Sequence, residues 1–240
     1  MSNKRYQDLY DQYIYRGEPT PITVGTIAVC FLCFLIMLVA TFSQITFSHP
    51  WIEYTQNGFS EVLKKVLYSP QIPAMIFVIY ILRSFWTTLT FVCYLLIGFF
   101  ILPIFAFGGG FDYIQNYFFG YLVGSLFAIF AVDLILKKGL DIKTRLLAAF
   151  AGIVTIHASG FIYCILLAIF KVIDFNMVIP VLSVLTFKKI IYDIIFGFCA
   201  IIIAPYIKNV LWICMKPKYN NPKNKNYSSK KYWHTTQNSQ

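Results

Sequence analysis

The stretch VGTIAVCFLCFLIMLVATFSQITF, residues 24–47, decides the class of fold. It contains no charged side chain, and at ~1.5 Å per residue a helix of this length spans about 36 Å, more than the ~30 Å hydrocarbon core of a bilayer. Residues 1–23 before it are polar and charged, and no small-residue cleavage pattern of a signal peptide follows. The stretch therefore predicts a retained transmembrane helix.

The composition of the whole chain points to the same environment. Hydrophobic residues make up 58% of the 240 residues and charged residues only 12%, whereas an average soluble domain has roughly 25% charged residues. So few charges cannot cover a water-facing surface, and most of the surface must therefore contact lipid. All six cysteines lie in apolar stretches without a zinc-type spacing, which favours buried free thiols.

Five further apolar segments follow the first one. We expect each to be helical, because lipid offers backbone N–H and C=O groups no other partner than the chain itself. The segment at 72–82 is short and ends at Arg83, so it must tilt, start in the headgroups or sit partly inside the bundle. The segment at 85–107 is long, and Pro103 bends or ends it. The other three are 118–136, 146–170 and 190–215. The predicted fold is an all-α integral membrane protein with six transmembrane helices.

The basic residues predict the orientation of these helices. If both termini are cytoplasmic, fifteen of the twenty Lys and Arg residues lie in inner segments and five in outer ones, as expected from the cytoplasmic bias of basic residues. The net charge of +10 then faces the inner leaflet and the cytoplasm, not nucleic acid. The chain divides into a cytoplasmic segment at 1–23, the transmembrane domain at 24–215, and a basic cytoplasmic tail at 216–240 that we expect to be disordered.

The segment at 49–70, between the first two spans, has an amphipathic pattern. Its apolar residues recur at helical spacing, opposite a polar face, and they are Phe59, Val62, Leu63, Val66 and Leu67. The pattern predicts a short helix lying in the outer membrane interface. Such a helix would act either as a lid over an outward-facing cavity or simply as a cover for the bundle.

Motifs of enzymes are absent from the sequence: it has no phosphate-binding loop, no H-E-x-x-H and no G-x-S-x-G. Polar residues inside spans are costly and need a reason. Asp133 has Lys137 one turn away, which favours a structural ion pair. Asp193 follows Lys189 by four residues near the outer end of the last helix, where a structural pair and a ligand contact are both possible. His157 suits a hydrogen bond between packed helices.

The segment LPIFAFGGGFDYIQNYFFGYLVG, residues 102–124, is the most unusual part of the chain. Three consecutive glycines free the backbone from helical geometry, and such backbone occurs at membrane depth only where it is buried or lines a cavity. Aromatic residues surround the glycines. The segment predicts either a pocket for a small amphipathic solute or a re-entrant turn beneath an interfacial aromatic belt.

The stretch YLLIGFFILPIFAFGGGFDYIQNYFFGYLVG, residues 94–124, resembles the hallmark of the BioY family, the biotin-binding S components of energy-coupling-factor (ECF) vitamin transporters. That hallmark reads YLxxGxxxLPxFAxGGG and continues into an FGYLxG-like start of the next helix. The PQIP at 70–73 and the IHASGFIY at 156–163 are similar to further parts of the family. The resemblance covers roughly residues 70–170.

The resemblance implies that the chain is not an enzyme and needs no cofactor or metal. It implies uptake of biotin across the bacterial cytoplasmic membrane by a multi-pass protein whose domain at 24–215 holds the vitamin in an outward-facing pocket and delivers it inward. The implied partners are a transmembrane coupling subunit and two ATPase subunits, besides the membrane lipid. The expected substrate-binding residues are Phe105, Phe107, Gly108, Gly109, Gly110, Tyr113, Tyr121, His157, Tyr163, Lys189 and Asp193.

In this expectation, peptide groups freed at Gly108–Gly110 bind the ureido edge of biotin, aromatic rings enclose its ring system, and Lys189 suits its carboxylate. The sequence departs from the family where Asp and Lys usually stand three apart at the start of helix six. Lys189 and Asp193 are four apart in the reverse order, so the family roles do not transfer to them. Helix one also lacks the AxxxA motif of small residues with which S components contact the coupling subunit. Only Gly25 and Ala28 are candidates for such a contact. The alternatives are an S component for another small vitamin and a membrane interaction or assembly protein.

Overall fold

The structure, a computed structural model, describes residues 20–55, 58–106 and 108–215. Most of the expected N-terminal segment, the whole of the expected tail and Phe107 therefore lie outside the described residues. The elements in chain order are α1 (Val24–Phe42), β1 (Ile45–Thr55), β2 (Gly58–Tyr68), α2 (Gln71–Phe100), a 3₁₀ helix (Phe111–Gln115), α3 (Phe119–Leu136), α4 (Ile142–Ile169), α5 (Phe175–Leu182), a π-helix (Ser183–Phe187) and α6 (Ile190–Met215).

Five helical stretches in the described ranges are long and apolar enough to cross a bilayer. They are α1, α2, α3, α4 and the stretch Phe175–Met215, which contains α5, the π-helix and α6. Their outward faces carry large apolar side chains that are mostly exposed, such as Val24 and Val210, a surface that is stable in lipid and unfavourable in water. The expectation of a mainly helical, multi-pass membrane protein is confirmed.

A sharp bend at Arg83 divides α2. Arg83 has φ 60° and ψ −177°, and the hydroxyl of Thr87 lies 3.5 Å from the carbonyl oxygen of Val78. Nine residues of straight helix would separate these positions by about 13.5 Å, so the chain folds back on itself at this bend. The two apolar segments expected on either side of Arg83, the short one at 72–82 and the long one at 85–107, are thus the two halves of α2. The second half ends at Phe100, before Pro103, and not at residue 107.

The interfacial helix expected at 49–70 is wrong, because this part of the backbone forms a β-hairpin. Strands β1 and β2 pair antiparallel, from Ile45 opposite Tyr68 to Thr55 opposite Gly58. The spacing of apolar residues in β2 also fits a helix, and long-range pairing with β1 decides between the two structures. The same pairing shortens the first span, which ends at Phe42 and not at residue 47. Ser43, the C-cap of α1, is extended, and its N–H and hydroxyl both donate to Val39 O.

Contacts between the helices define two ends of the bundle. The start of α1 meets the end of α6, where the Thr23 hydroxyl lies 3.4 Å from Met215 O. The indole of Trp86, close to the bend in α2, donates to Thr20 O at 2.9 Å. We call this end the Arg83 end, and the opposite end, with the three glycines, the glycine-loop end. The start of α1 and the end of α6 therefore lie at the same end of the described bundle.

Close helix packing at Gly124 leads to a prediction about stability. A Cβ at Gly124 would lie 2.9 Å from both Cα and O of Ile156 in α4, and overpacking against backbone typically costs about 1–3 kcal/mol. Gly124→Leu should therefore lower the midpoint of thermal unfolding in detergent, whereas Ala158→Leu, on the exposed face of α4, should leave it nearly unchanged. Equal midpoints for the two variants would contradict the α3–α4 packing described here.

Candidate functional site

The three glycines form a tight non-helical turn, as the sequence predicts. Gly108 and Gly110 have positive φ values of 156° and 76°, which residues with a side chain rarely adopt. The backbone of Gly108 exchanges hydrogen bonds with that of Phe105 at 3.0 and 3.2 Å, and Gly110 N–H donates to Gly98 O at 2.9 Å. The amides of Gly108 and Gly110, which we expected to face a ligand, thus donate to backbone carbonyls of the loop and of α2.

Aromatic side chains from the loop itself fill its interior. Phe105 is 1% exposed, and its ring centroid lies 4.8 Å from that of Tyr113. The Tyr113 hydroxyl donates to Ala106 O at 3.0 Å, and burial raises the pKa of this hydroxyl, so the group stays a neutral donor. Gly98 provides the space for this packing, because a Cβ there would lie 2.1 Å from the Phe105 ring.

A small cavity of about 40 Å³ adjoins the loop. Its volume is sufficient for a few water molecules, whereas sites for small organic ligands usually measure about 300–1,000 Å³. Three of the expected site residues, Phe105, Tyr113 and Tyr121, border it. The other lining residues are Gln71, Ile72, Ala106, Phe118, Leu122, Ser125 and Ile156. The structure therefore shows a cavity beside the loop that is too small for an organic ligand, and the pocket expected from the sequence stays a prediction.

A chain of buried polar side chains leads from this cavity across the bundle. The Tyr121 hydroxyl lies 2.7 Å from that of Thr186, and Nδ1 of His157 lies 3.4 Å from the same Thr186 oxygen. On its other side, His157 Nε2 lies 3.1 Å from Asp193 Oδ2. The Tyr68 hydroxyl donates to Asp193 Oδ1 at 2.9 Å. We call these five residues the polar chain; they come from β2, α3, α4, the π-helix and α6.

The carboxylate of Asp193 is deeply buried and fully engaged. Asp193 is 2% exposed and His157 4%, and a buried carboxylate is tolerated only with such partners. Burial raises the pKa of Tyr68, and the neighbouring Asp193 raises it further, so the phenol remains a hydrogen-bond donor. The hairpin is held over this position by ring contacts, among them Phe47 stacked on Tyr192 with centroids 4.7 Å apart.

The remaining expected site residues lie around the polar chain and the cavity. Tyr163 donates through its hydroxyl to Ile114 O in the 3₁₀ helix. Lys189 stands one helical turn before Asp193, whose N–H donates to Lys189 O at 3.0 Å. A Cβ at Gly109 would lie 2.4 Å from Pro103 Cα, so Gly109 is packed against backbone. Among the described residues, no three His, Cys, Asp or Glu side chains gather to hold a metal.

Four polar residues of this region were not expected from the sequence: Tyr68, Gln71, Ser125 and Thr186. Tyr68 fell in the segment assigned to an interfacial helix, and Thr186 fell in a mainly apolar run. Thr186 is 7% exposed, so its hydroxyl needs a hydrogen-bond partner. A polar residue inside an apolar span was the signal in the sequence that could have indicated it. No local pattern relates Tyr68 to Asp193, which follows it by 125 residues.

A second polar cluster lies at the Arg83 end. Arg83 Nε is 2.7 Å from Asp133 Oδ1, and Lys137 Nζ is 3.1 Å from Asp133 Oδ2. The ion pair expected between Asp133 and Lys137 is thus confirmed, with Arg83 as an additional partner. Lys208, buried in α6, donates to Tyr80 O at 3.0 Å. This cluster ties α2 to α3 at the end of the bundle opposite the glycine loop.

The fold and the site together define a multi-pass α-helical membrane protein with an aromatic cavity and a buried polar chain at one end. The sequence matches the family model of the BioY family over residues 16–212. The chain belongs to the BioY family, and the resemblance noted from residues 94–124 is confirmed.

A comparison of folds gives one similar solved structure, the 2.1 Å crystal structure of the S-component for biotin from an ECF-type ABC transporter. The TM-score is 0.54 at 16% sequence identity, and the alignment covers 87% of this chain and 95% of that chain. At this identity the likeness supports the fold. A comparison with curated protein sequences finds no match.

Proposed function

We propose that this chain is the S component that captures biotin for an ECF-type transporter. Membership of the BioY family is the observation that carries this proposal. It is supported by the cavity at the glycine-loop end, which Tyr121 lines, and by the polar chain that leads from Tyr121 through Thr186 to His157 and Asp193. The chain would bind and present the vitamin without transforming it, so it would need neither a catalytic nucleophile nor a cofactor.

The residues that line the cavity and those of the polar chain fit the chemistry of biotin. The ureido group has two N–H donors and one carbonyl acceptor, and leaving a buried donor unpaired costs about 1–3 kcal/mol. Asp193 and Thr186 offer acceptor oxygens for the N–H groups, and the side-chain amide of Gln71 can donate to the carbonyl. Phe105, Tyr113 and Tyr121 offer flat apolar walls. Lys189 remains the candidate for the carboxylate, and Phe107 and Tyr163 remain candidates for the rim.

Binding requires the cavity to expand. A bicyclic ligand with a five-atom side chain needs a site several times larger than 40 Å³. In this proposal the rings of Tyr113 and Tyr121 swing away from the cavity and Tyr68 releases Asp193, so that the ligand takes over the bonds that these hydroxyls make. The loop amides of Gly108 and Gly110 then support the walls of the pocket and do not contact the ureido group.

The proposal includes six membrane crossings with both termini in the cytoplasm. In this proposal the two halves of α2, which meet at the fold-back at Arg83, each cross the membrane, and the bias of Lys and Arg supports an inward position of the Arg83 end. The glycine loop then opens outward in the bacterial cytoplasmic membrane. Delivery would require a transmembrane coupling subunit and two ATPase subunits, with reorientation of the whole bundle carrying the loaded pocket inward.

The glycine loop provides the first test. Gly109→Leu should abolish binding of labelled biotin to the purified protein, because its Cβ would meet Pro103 Cα at 2.4 Å and Gly98 O at 2.9 Å and displace the wall that carries Phe105. The matched control is Gly139→Leu in the turn between α3 and α4 at the Arg83 end, which should bind biotin normally. Normal binding by a folded Gly109→Leu protein would argue against a pocket beside this loop.

A further inference from the structure

The cluster at the Arg83 end contains more cations than its function as a helix contact requires. Arg83 and Lys137 share the single carboxylate of Asp133, and the side-chain nitrogen of Lys208 lies within electrostatic range of both Arg83 and Asp133. Three basic groups thus surround one acid. Both carboxylate oxygens are already engaged, so Asp133 cannot neutralise the remaining charge.

One of these cations has an unused donor. Arg83 is 3% exposed, and its Nη2 is buried without a hydrogen-bond partner among the described residues. A buried charged donor without an acceptor is strongly unfavourable. The guanidinium donates from Nε to Asp133, so Nη2 is left free to donate to a second oxyanion. Nε of Arg145 is a second buried donor without a partner in the described part of the chain.

Arg145 lies at the same depth as Arg83. Gly152 in α4 packs against Ile76 in α2, which puts these two residues on one level of the bundle. Seven residues, or about 10.5 Å of helix, lead from Gly152 to Arg145 and from Ile76 to Arg83, in each case toward the Arg83 end. Arg83 and Arg145 therefore lie at a similar depth, at the same end of the bundle as Lys137 at the end of α3, and we call Arg83, Lys137, Arg145 and Lys208 the basic belt.

We propose that this belt binds the headgroup phosphate of an anionic phospholipid. The planar guanidinium of arginine suits phosphate oxygens, and basic pockets between transmembrane helices are suited to anionic headgroups. Access is provided by Lys137, whose side chain is 49% exposed. Next to it, Leu134 and Ile142 expose apolar side chains against which the acyl chains of a lipid can pack. These apolar neighbours favour a lipid over free phosphate.

The proposal is tested by measuring lipid binding to the full-length protein in detergent, with phosphatidylglycerol and phosphatidylcholine of identical acyl chains. Native mass spectrometry should detect one phosphatidylglycerol bound at least about tenfold more tightly than phosphatidylcholine. Lys137→Gln should weaken this binding about fivefold, the effect of one basic group near a charged headgroup. Lys208→Met should weaken it similarly. Lys188→Gln removes an exposed lysine at the glycine-loop end and should have no effect.

Three results would overturn the proposal. They are equal affinity for the two lipids, equal effects of Lys137→Gln and Lys188→Gln, and displacement of phosphatidylglycerol by millimolar inorganic phosphate, which would indicate a site for a free anion. If Lys208→Met does not fold, the effect of Lys137→Gln on phosphatidylglycerol binding is sufficient to test the proposal. Its side chain is half exposed and its removal leaves Arg83 bonded to Asp133. None of these outcomes depends on whether the protein binds biotin.

Discussion

Replacing Asp193 by asparagine should weaken biotin binding by about 10- to 100-fold while leaving the bundle folded. A hydrogen bond to a charged group contributes about 1.5–3 kcal/mol, and the neutral amide loses that contribution to the ureido N–H. Asparagine keeps the size of the side chain, and its oxygen can still accept from Tyr68 or His157. Titration of the purified protein with labelled biotin, beside its thermal unfolding midpoint, measures both properties.

The matched control for this variant is Asp174→Asn. Asp174 is an exposed acid at the same end of the bundle, and it caps α5 by accepting from Asn176 N–H at 3.0 Å, a function that asparagine fulfils equally well. This control should bind biotin like the original protein. If Asp193→Asn also binds normally, or loses affinity only in proportion to its loss of stability, then Asp193 is a structural partner of His157 and not a ligand contact.

The largest loss of stability is expected for Arg83→Met. Asp133 is 2% exposed, and removing the arginine leaves its buried carboxylate with Lys137 as its only described ionic partner. Breaking a buried ion pair from one side typically costs about 3–5 kcal/mol. Unfolding by denaturant in detergent should show this loss, whereas Lys143→Met, an exposed basic residue in the first turn of α4, should be close to neutral.

The double variant Arg83→Met with Asp133→Leu separates two contributions to the lost stability, that of the broken ion pair and that of the backbone bend. It removes the stranded carboxylate, so it should recover a large part of the lost stability, as replacement of a buried pair by apolar residues often does. If the double variant is as unstable as Arg83→Met alone, the loss arises from the strained bend at Arg83, with φ 60°, and the ion pair does not hold α2 against α3.

The helices could be predicted from the sequence because lipid imposes strong constraints. Runs of apolar residues long enough to span a bilayer must be helical. The charged Arg83, between the short run at 72–82 and the long run at 85–107, marked the place where α2 folds back. The hairpin could not be predicted in this way. Its second strand has apolar residues at a spacing that also fits a helix, and its first strand begins at Ile45, inside the apolar run that continues α1. Only pairing between β1 and β2 decides the structure.

The polar part of the candidate site was accessible from the sequence by one physical argument. His157 and Asp193 lie in spans where polar groups are costly, so each was a candidate for a specific contact. Their direct hydrogen bond joins residues 36 apart, and sequence spacing does not predict such a bond. The glycines were expected to leave backbone amides for a ligand. Their freedom instead lets the loop close on itself and on Gly98, a long-range partner.

The central claim, that this chain binds biotin, is tested most directly by equilibrium binding of labelled biotin to the purified protein. We expect saturable binding to one site, displaced by unlabelled biotin and unaffected by a large excess of riboflavin or thiamine. Equal displacement by riboflavin or thiamine would contradict the choice of biotin and favour an S component for another vitamin. Absence of saturable binding of any of the three, by a protein that unfolds cooperatively, would contradict substrate capture itself.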